Sequence, residues 1–239
     1  MTIFRHVAHS ALAIYEFYGG NFNGAIDHKN QALRFYRDKA SEELQKTFGT
    51  DRRLQALRGA ALSHWCIGDH ELAVEMDEEQ RLRAIDRPFD YTYALTMSCI
   101  FHSLGRRARM MRAFAENAIT IAQDQGFGFL GSNAANFRVI ALALEKPTEE
   151  ALQDCDDAFE EYRRAGNRMG ISSMLGIVAE LYADIDAAGR GLPYADKALD
   201  YVKRSGELFA HSDLYRVKAS RLTMSRSAAA TESRFLFSE

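Results

Sequence analysis

The sequence predicts an all-α chain in which about five helical hairpins and a terminal helix stack into a solenoid. Three observations predict it. Only 3 of 239 residues are proline while 47% are hydrophobic, which favours long uninterrupted helices around a sizeable core. Gly126, Gly166 and Gly206 recur at intervals of 40 residues, each just past a helix-like run, where a left-handed C-cap belongs. A second family of breaks falls between them, so helix and turn alternate with a pair every 37 to 48 residues.

The elements follow in order. Helix 3–18 is closed by Gly19-Gly20, and helix 22–38 carries Ala25 and Ala32, small enough for a close crossing. A short helix over 41–47 lies in the connector to the next hairpin. Helix 51–67 sets Leu57, Ala60, Ala61 and His64 on one face and ends at Gly68-Asp69. Helix 70–85 contains Ala73 and stops at Asp86, with Pro88 as the helix break. Helix 90–104 ends at Gly105, and helix 106–124, with Ala115, Ile119 and Ala122 on one face, ends at Gly126. Helix 128–145 stops before Lys146-Pro147. Helix 149–164 contains Ala151 and Ala158 and closes with Arg163 and Arg164 before Gly166, where the helix dipole favours cations. Helix 168–185 aligns Leu175, Val178, Ala179 and Tyr182 and yields to a break from Asp186 to Gly191. Helix 192–204 carries Ala198 and ends in Lys203 and Arg204 before Gly206, and helix 207–222 closes the pattern. Residues 1–222 thus read as one helical repeat domain. The Ser/Ala-rich stretch 223–239 reads as a disordered tail.

Composition excludes several function classes. Net charge is -3, from 30 basic and 33 acidic residues, so no global basic field attracts nucleic acid or an anionic membrane. Cys66, Cys99 and Cys155 are an odd, sparse set that implies reduced thiols in the cytoplasm. Cys66 and Cys99 lie in apolar helix faces and read as inert core thiols. Arg5, His6, His9 and Glu16 interrupt the first apolar run, which does not resemble a secretory signal, and no stretch is apolar enough to span a membrane.

Catalytic and metal signatures fail on inspection. Gly126, Gly128 and Gly131 spell G-x-G-x-x-G, but a helical run precedes them where a dinucleotide site needs a strand, so they read as a turn between hairpins. No Gly-Lys pair exists for a phosphate loop. His70-Glu71 begins a zinc helix motif, but Val74 occupies the second histidine's place. His6 and His9 share a helix face without a third ligand nearby in sequence, and no G-x-S-x-G elbow appears. The expectation is a non-enzyme without cofactor or metal. Arg106, Arg107, Arg109 and Arg112 form the densest basic patch, either a solvated face or the complement of an acidic partner. The acidic run Glu149, Glu150, Asp154, Asp156, Asp157, Glu160 and Glu161 reads as a solvated face.

Gly20-Asn21-Phe22-Asn23-Gly24-Ala25-Ile26 followed by Gln31-Ala32-Leu33 is similar to the tetratricopeptide (TPR) consensus. Later hairpins depart from it, with Gln80 at the second alanine position and Met110 at the first. Residues from about Ala8 to Leu222 also resemble the divergent C-terminal repeats of bacterial class III adenylate/guanylate cyclase–ATPase signalling proteins. Gly68-Asp69-His70-Glu71-Leu72-Ala73, Ile85-Asp86-Arg87-Pro88-Phe89, Ala122-Gln123-Asp124-Gln125-Gly126-Phe127, Ala179-Glu180-Leu181-Tyr182, Glu207-Leu208 and Asp213-Leu214-Tyr215-Arg216-Val217-Lys218 carry the likeness, with Phe35 to Thr50 as its longer connector. The resemblance implies a right-handed α-solenoid of TPR-like hairpins. It also implies a protein–protein interaction or regulatory role in a signalling system, or alternatively a non-catalytic fragment serving as a cyclase–ATPase protein's sensory tail. The upstream cyclase and ATPase modules have no counterpart here, so the likeness carries no cyclase activity. Transferring the TPR register puts Gln55, Arg58, Thr92, His102, Asn133, Asn136, Ser173 and Glu180 on the inner face, where they either bind a protein or peptide partner or remain ordinary solvated groove residues. Uncapped repeat ends are expected to favour self-association, with Phe235, Leu236 and Phe237 as a partial cover.

Overall fold

The computed structural model describes residues 2–36, 46–47 and 49–236, and for 2–3 and 225–236 the backbone alone. The described residues form helices and turns without a strand. The helices are α1 (Thr2–Tyr18), α2 (Phe22–Phe35), α3 (Arg52–Ile67), α4 (His70–Ala84), α5 (Pro88–Leu104), α6 (Ala108–Gln125), α7 (Gly128–Glu145), α8 (Glu149–Arg164), α9 (Ile171–Asp184), α10 (Ala188–Ser205) and α11 (His211–Leu236). None is long and apolar enough to cross a membrane.

Local signals place most ends as expected. Gly68, Gly126 and Gly206 adopt φ of 95°, 74° and 75° and cap α3, α6 and α10, since a left-handed residue lets its N–H return to the last helical carbonyls. Asn21, Asp51 and Thr148 cap the starts of α2, α3 and α8 through their side-chain oxygens.

Four expectations need correction. Pro88 does not break a helix but is the first residue of α5, where its missing N–H costs nothing and its fixed φ suits the helix. Gly105 closes α5 as expected, but Arg106 after it is the left-handed residue of the turn, at φ 51°, where a helix start is expected. Helix α6 therefore starts at Ala108, with Arg106 and Arg107 in the turn before it. The break expected from Asp186 to Gly191 ends early, because α10 starts at Ala188 and carries Pro193 inside its first turns. Helix α11 starts at His211 and its backbone continues to Leu236, past Thr223 where the apolar pattern fades. Most of the helix expected over 41–47 lies outside the described residues, as do the side chains of Phe235 and Leu236 and all of Phe237.

The chain divides into two compact units, Met1–Arg138 and Val139–Glu239. In the first, α1/α2, α3/α4 and α5/α6 are hairpins. Helix α3 packs on both α1 and α2, and α5 on both α3 and α4. Alanine-rich crossings allow this closeness: a Cβ built on Gly59 of α3 would lie 2.9 Å from the Ala13 carbonyl oxygen of α1. Leu95, Ala118 and Ala134 join α5, α6 and α7 in one cluster. In the second unit α9/α10 is the hairpin, α11 packs on both members, and α8 packs on α9. Ala198, Leu199, Val202, Ala210 and Leu214 form its largest described cluster, with Leu175 and Phe209 against it.

A carboxylate from the next first helix, or from the loop before it, caps the first helix of the hairpin before. Asp90 accepts from the Thr50 hydroxyl (2.6 Å) and the Asp51 N–H (3.3 Å), 40 and 39 residues back. Glu207 accepts from the Gly170 N–H (2.6 Å) and the Ser172 hydroxyl (2.6 Å), 37 and 35 residues back. Anions at these positions satisfy orphan N–H groups and complement the helix dipole. Neighbouring hairpins are thereby joined by polar bonds as well as apolar packing.

Candidate functional site

The register transfer put six residues in the first unit, and all lie on first helices. Gln55 and Arg58 are on α3, Thr92 and His102 on α5, and Asn133 and Asn136 on α7. Only Gln55 is half-buried, and it accepts from the Arg52 guanidinium at 3.0 Å. Arg58, Thr92, His102, Asn133 and Asn136 are buried. The Thr92 hydroxyl is spent on the Pro88 carbonyl of its own helix. Asn133 Oδ1 is buried without a hydrogen-bond partner. In the second unit Ser173 and Glu180 are half-buried on α9, and Glu180 pairs with Arg216 of α11. The inner-face positions are therefore mostly interior: α3 and α5 have helices on several sides, so little of their surface reaches water.

Arg58 is the most informative of these. The residue is 4% exposed, and its guanidinium donates to the hydroxyls of Tyr93 and Tyr18, each at 3.0 Å. Among the described residues Nε has no partner and no carboxylate bonds the group. Burial by itself disfavours the charge, but the oxygens of Tyr93 and Tyr18 more than offset it and hold the group cationic. The Tyr93 hydroxyl accepts from Arg58, so its own proton remains to donate. Tyr18 and Tyr93 are half-buried, placing phenols between a buried cation and solvent.

A second polar cluster joins α4, α5 and α6. Asp77, 1% exposed, accepts from Gln80 (2.8 Å) and the Ser98 hydroxyl (2.8 Å) and pairs with Arg81. Arg81 also bonds Ser98 and lies over the Phe114 ring, 4.5 Å from its centroid. His102 Nε2 is 3.6 Å from Asp77 Oδ2. An acid, a histidine and a serine thus meet, but the Ser98 hydroxyl donates to the carboxylate and not to the imidazole. No base stands ready to activate it, and triad chemistry does not follow.

This cluster predicts a pH response. Burial pushes the His102 imidazole down to about 4; Asp77 opposes the shift, and Arg81 and Arg107 add to it. Between pH 6.5 and 4 the unfolded chain binds a proton that the native state refuses, so stability is complete at neutral pH and falls as pH falls. Urea unfolding at pH 7 and pH 5 should differ by about 1–2 kcal/mol from this group. His102→Gln should flatten that part of the slope, and an unchanged slope would assign the acid sensitivity elsewhere.

Other sequence candidates resolve simply. The Gly126 to Gly131 motif runs from the C-cap of α6 into α7, a helix–turn–helix junction with no strand before it. His6 Nδ1 donates to the Ala32 carbonyl at 2.9 Å, while His9 Nδ1 and His28 Nδ1 lie 2.9 Å apart. Among the described residues no three metal-ligating side chains converge. Cys99 and Cys155 are buried thiols, with burial pushing Cys155 up to about 12. Cys66 is exposed, which corrects the core placement inferred from its apolar neighbours. In the basic patch Arg107 lies over Trp65 at 4.7 Å and Arg109 is exposed. In the second unit Tyr194 donates to Asp156 at 2.5 Å and Arg190 covers the Tyr182 ring while pairing with Glu149. Part of the acidic run is thus engaged with α10.

Sequence reasoning missed Asp77, Arg81, Ser98, Tyr18 and Tyr93. Its only available signal was polar residues three or four apart, Asp77-Gln80-Arg81 and Ser98-His102, which in a single sequence look like any solvated stripe. Comparison with family models, curated proteins and solved structures returns no match.

Proposed function

We propose that this chain is a non-catalytic, cytoplasmic protein-interaction module whose hairpins are TPR-like and of the right-handed solenoid kind. Its first unit takes an acidic segment of a protein partner. The observation that carries this reading is Arg58, a buried cation bonded to phenols and, among the described residues, to no carboxylate. Burying a charge without a counter-charge is costly, and a carboxylate arriving at the phenol rim supplies one. The Tyr93 hydroxyl, polarised by Arg58 behind it, donates to such an anion. The exposed Arg107 and Arg109 of the same unit add a favourable field for acidic partners.

Fluorescence polarisation with Glu/Asp-rich peptides and their Lys-substituted counterparts tests the reading. Acidic peptides bind and basic ones do not. Arg58→Gln should weaken the acidic complex by about 10- to 100-fold, the loss of one charge-assisted contact, and Tyr93→Phe by less, both with unchanged helical circular dichroism. Equal binding of both peptide classes, or an Arg58→Gln variant that binds like the parent, counts against it.

The resemblance to cyclase–ATPase repeats favours a second reading, a non-catalytic regulatory tail. Most of the resembling stretches include inter-helix turns, among them Gly68-Asp69, Ile85 to Phe89 and Ala122 to Phe127, the parts of a repeat least dictated by generic packing. Adding the purified chain to a cyclase–ATPase protein stripped of its repeats tests it: restored regulation supports the tail, and unaltered cyclase output opposes it.

A further inference from the structure

We propose that the chain self-associates through α1, as an antiparallel two-fold pair of α1 helices from two copies. In α1 the buried positions are His6, Ser10, Ala13 and Phe17, one stripe at helical spacing. The opposite side is apolar too, yet it faces solvent. Phe4, Ala8, Ala11, Leu12 and Tyr15 are exposed, Phe4 at 77% and Tyr15 at 72%. Helices α3 and α5, the first helices of the next two hairpins, differ: α3 is buried without interruption from Ala56 to His64 and α5 from Ala94 to Ser103, because neighbouring hairpins cover them. On α1 the corresponding cover is missing among the described residues.

The pattern of the stripe selects a second copy as its occupant. Phe4, Ala8, Ala11 and Tyr15 run large, small, small, large, which reads the same in both directions. In an antiparallel pair Phe4 meets the second copy's Tyr15 at each end, and alanines meet at the centre, where small side chains let backbones approach. The charges obey the same symmetry. Arg5 and Glu16 are the only Lys, Arg, Asp or Glu residues in α1. At 100° per residue they flank the stripe on the same edge. A two-fold axis perpendicular to the pair keeps that edge on one side and reverses its direction, so Arg5 of one copy faces Glu16 of the other, twice. The stripe is centred between His9 and Ser10 and the charges between Ser10 and Ala11, an offset the long arginine side chain spans. A parallel pair or an unrelated acidic or basic partner satisfies neither symmetry. One helix pair is a small interface, so the expected association is reversible and micromolar.

Sedimentation equilibrium of the full chain from about 5 to about 200 µM tests this. The parent should show a concentration-dependent dimer. Ala8→Glu, on the exposed stripe, should weaken it by at least about tenfold with unchanged circular dichroism. Arg5→Glu and Glu16→Arg should each weaken it by like-charge juxtaposition. An equimolar mixture of those two variants should recover dimer, since each mixed pair then holds opposite charges at both ends. A monomer across the range overturns the proposal. So does a dimer indifferent to Ala8→Glu, or a mixture that associates no better than the single variants.

Discussion

Replacing Asp77 by alanine should lower the unfolding free energy by about 3–5 kcal/mol, the range for breaking a buried ion pair from one side. Asp77 is 1% exposed and accepts from Gln80 and Ser98 while pairing with Arg81. Without the carboxylate, those donors stay in the interior and Arg81 keeps its charge beside Ser98 and the Phe114 face. Asp77→Asn keeps the shape and one acceptor, so its cost should be smaller, about 2 kcal/mol. Removing both charges in Asp77→Leu/Arg81→Met should cost less than the sum of the single changes, because neither charge is then orphaned. Urea denaturation of the parent and these variants, with Asp77→Leu and Arg81→Met also made singly, measures all of this. If Asp77→Ala unfolds at the parent's midpoint, the cluster is not buried in solution as described.

The second large effect falls in the other unit. Gly191 lies in α10 where it crosses α9, and a Cβ built there would sit 2.5 Å from the Ala179 carbonyl oxygen. The obstacle is backbone, so no rotamer change relieves it. Gly191→Ala should therefore destabilise by about 3 kcal/mol as α9 and α10 are pushed apart. Alanine's helix propensity, worth about 1 kcal/mol over glycine, works in the opposite direction and is outweighed. Gly128→Ala is the control. It starts α7 with nothing within 4 Å of its Cβ position, and the same chemical change there should be neutral or stabilising by about 0.5 kcal/mol. Equal effects at the two sites would remove the crossing as the cause. Thermal melts of both variants separate the outcomes.

These two residues also show where sequence reading stopped. The sequence places Gly191 at the end of a break that starts at Asp186. In the fold the glycine is inside α10, and its value is the space it leaves for a neighbouring backbone. That space is visible only once α9 lies beside it. Asp77 is, in the sequence, one acid among several on a charged helix and carries no distinguishing signal. Its partner Ser98 is 21 residues away, and burial came from α5 packing on α4. Pro88 erred in the other direction: proline signals a helix end and a helix start with the same chemistry, and the neighbours of one residue do not distinguish them.

The amino-acid sequence by itself determined the helices and most of their ends. Apolar residues at three- and four-residue spacing, glycine C-caps at Gly68, Gly126 and Gly206, and oxygen-bearing caps at Asn21, Asp51 and Thr148 all act within one turn of the chain. Tertiary structure alone decided which polar side chains are interior and what they hold. Arg58 reaches Tyr18 and Tyr93 across 40 and 35 residues, and Glu207 caps a helix that begins 36 residues earlier. The physical reason is range: capping and periodicity are local, whereas desolvation and the choice of a hydrogen-bond partner depend on which helices come to lie side by side.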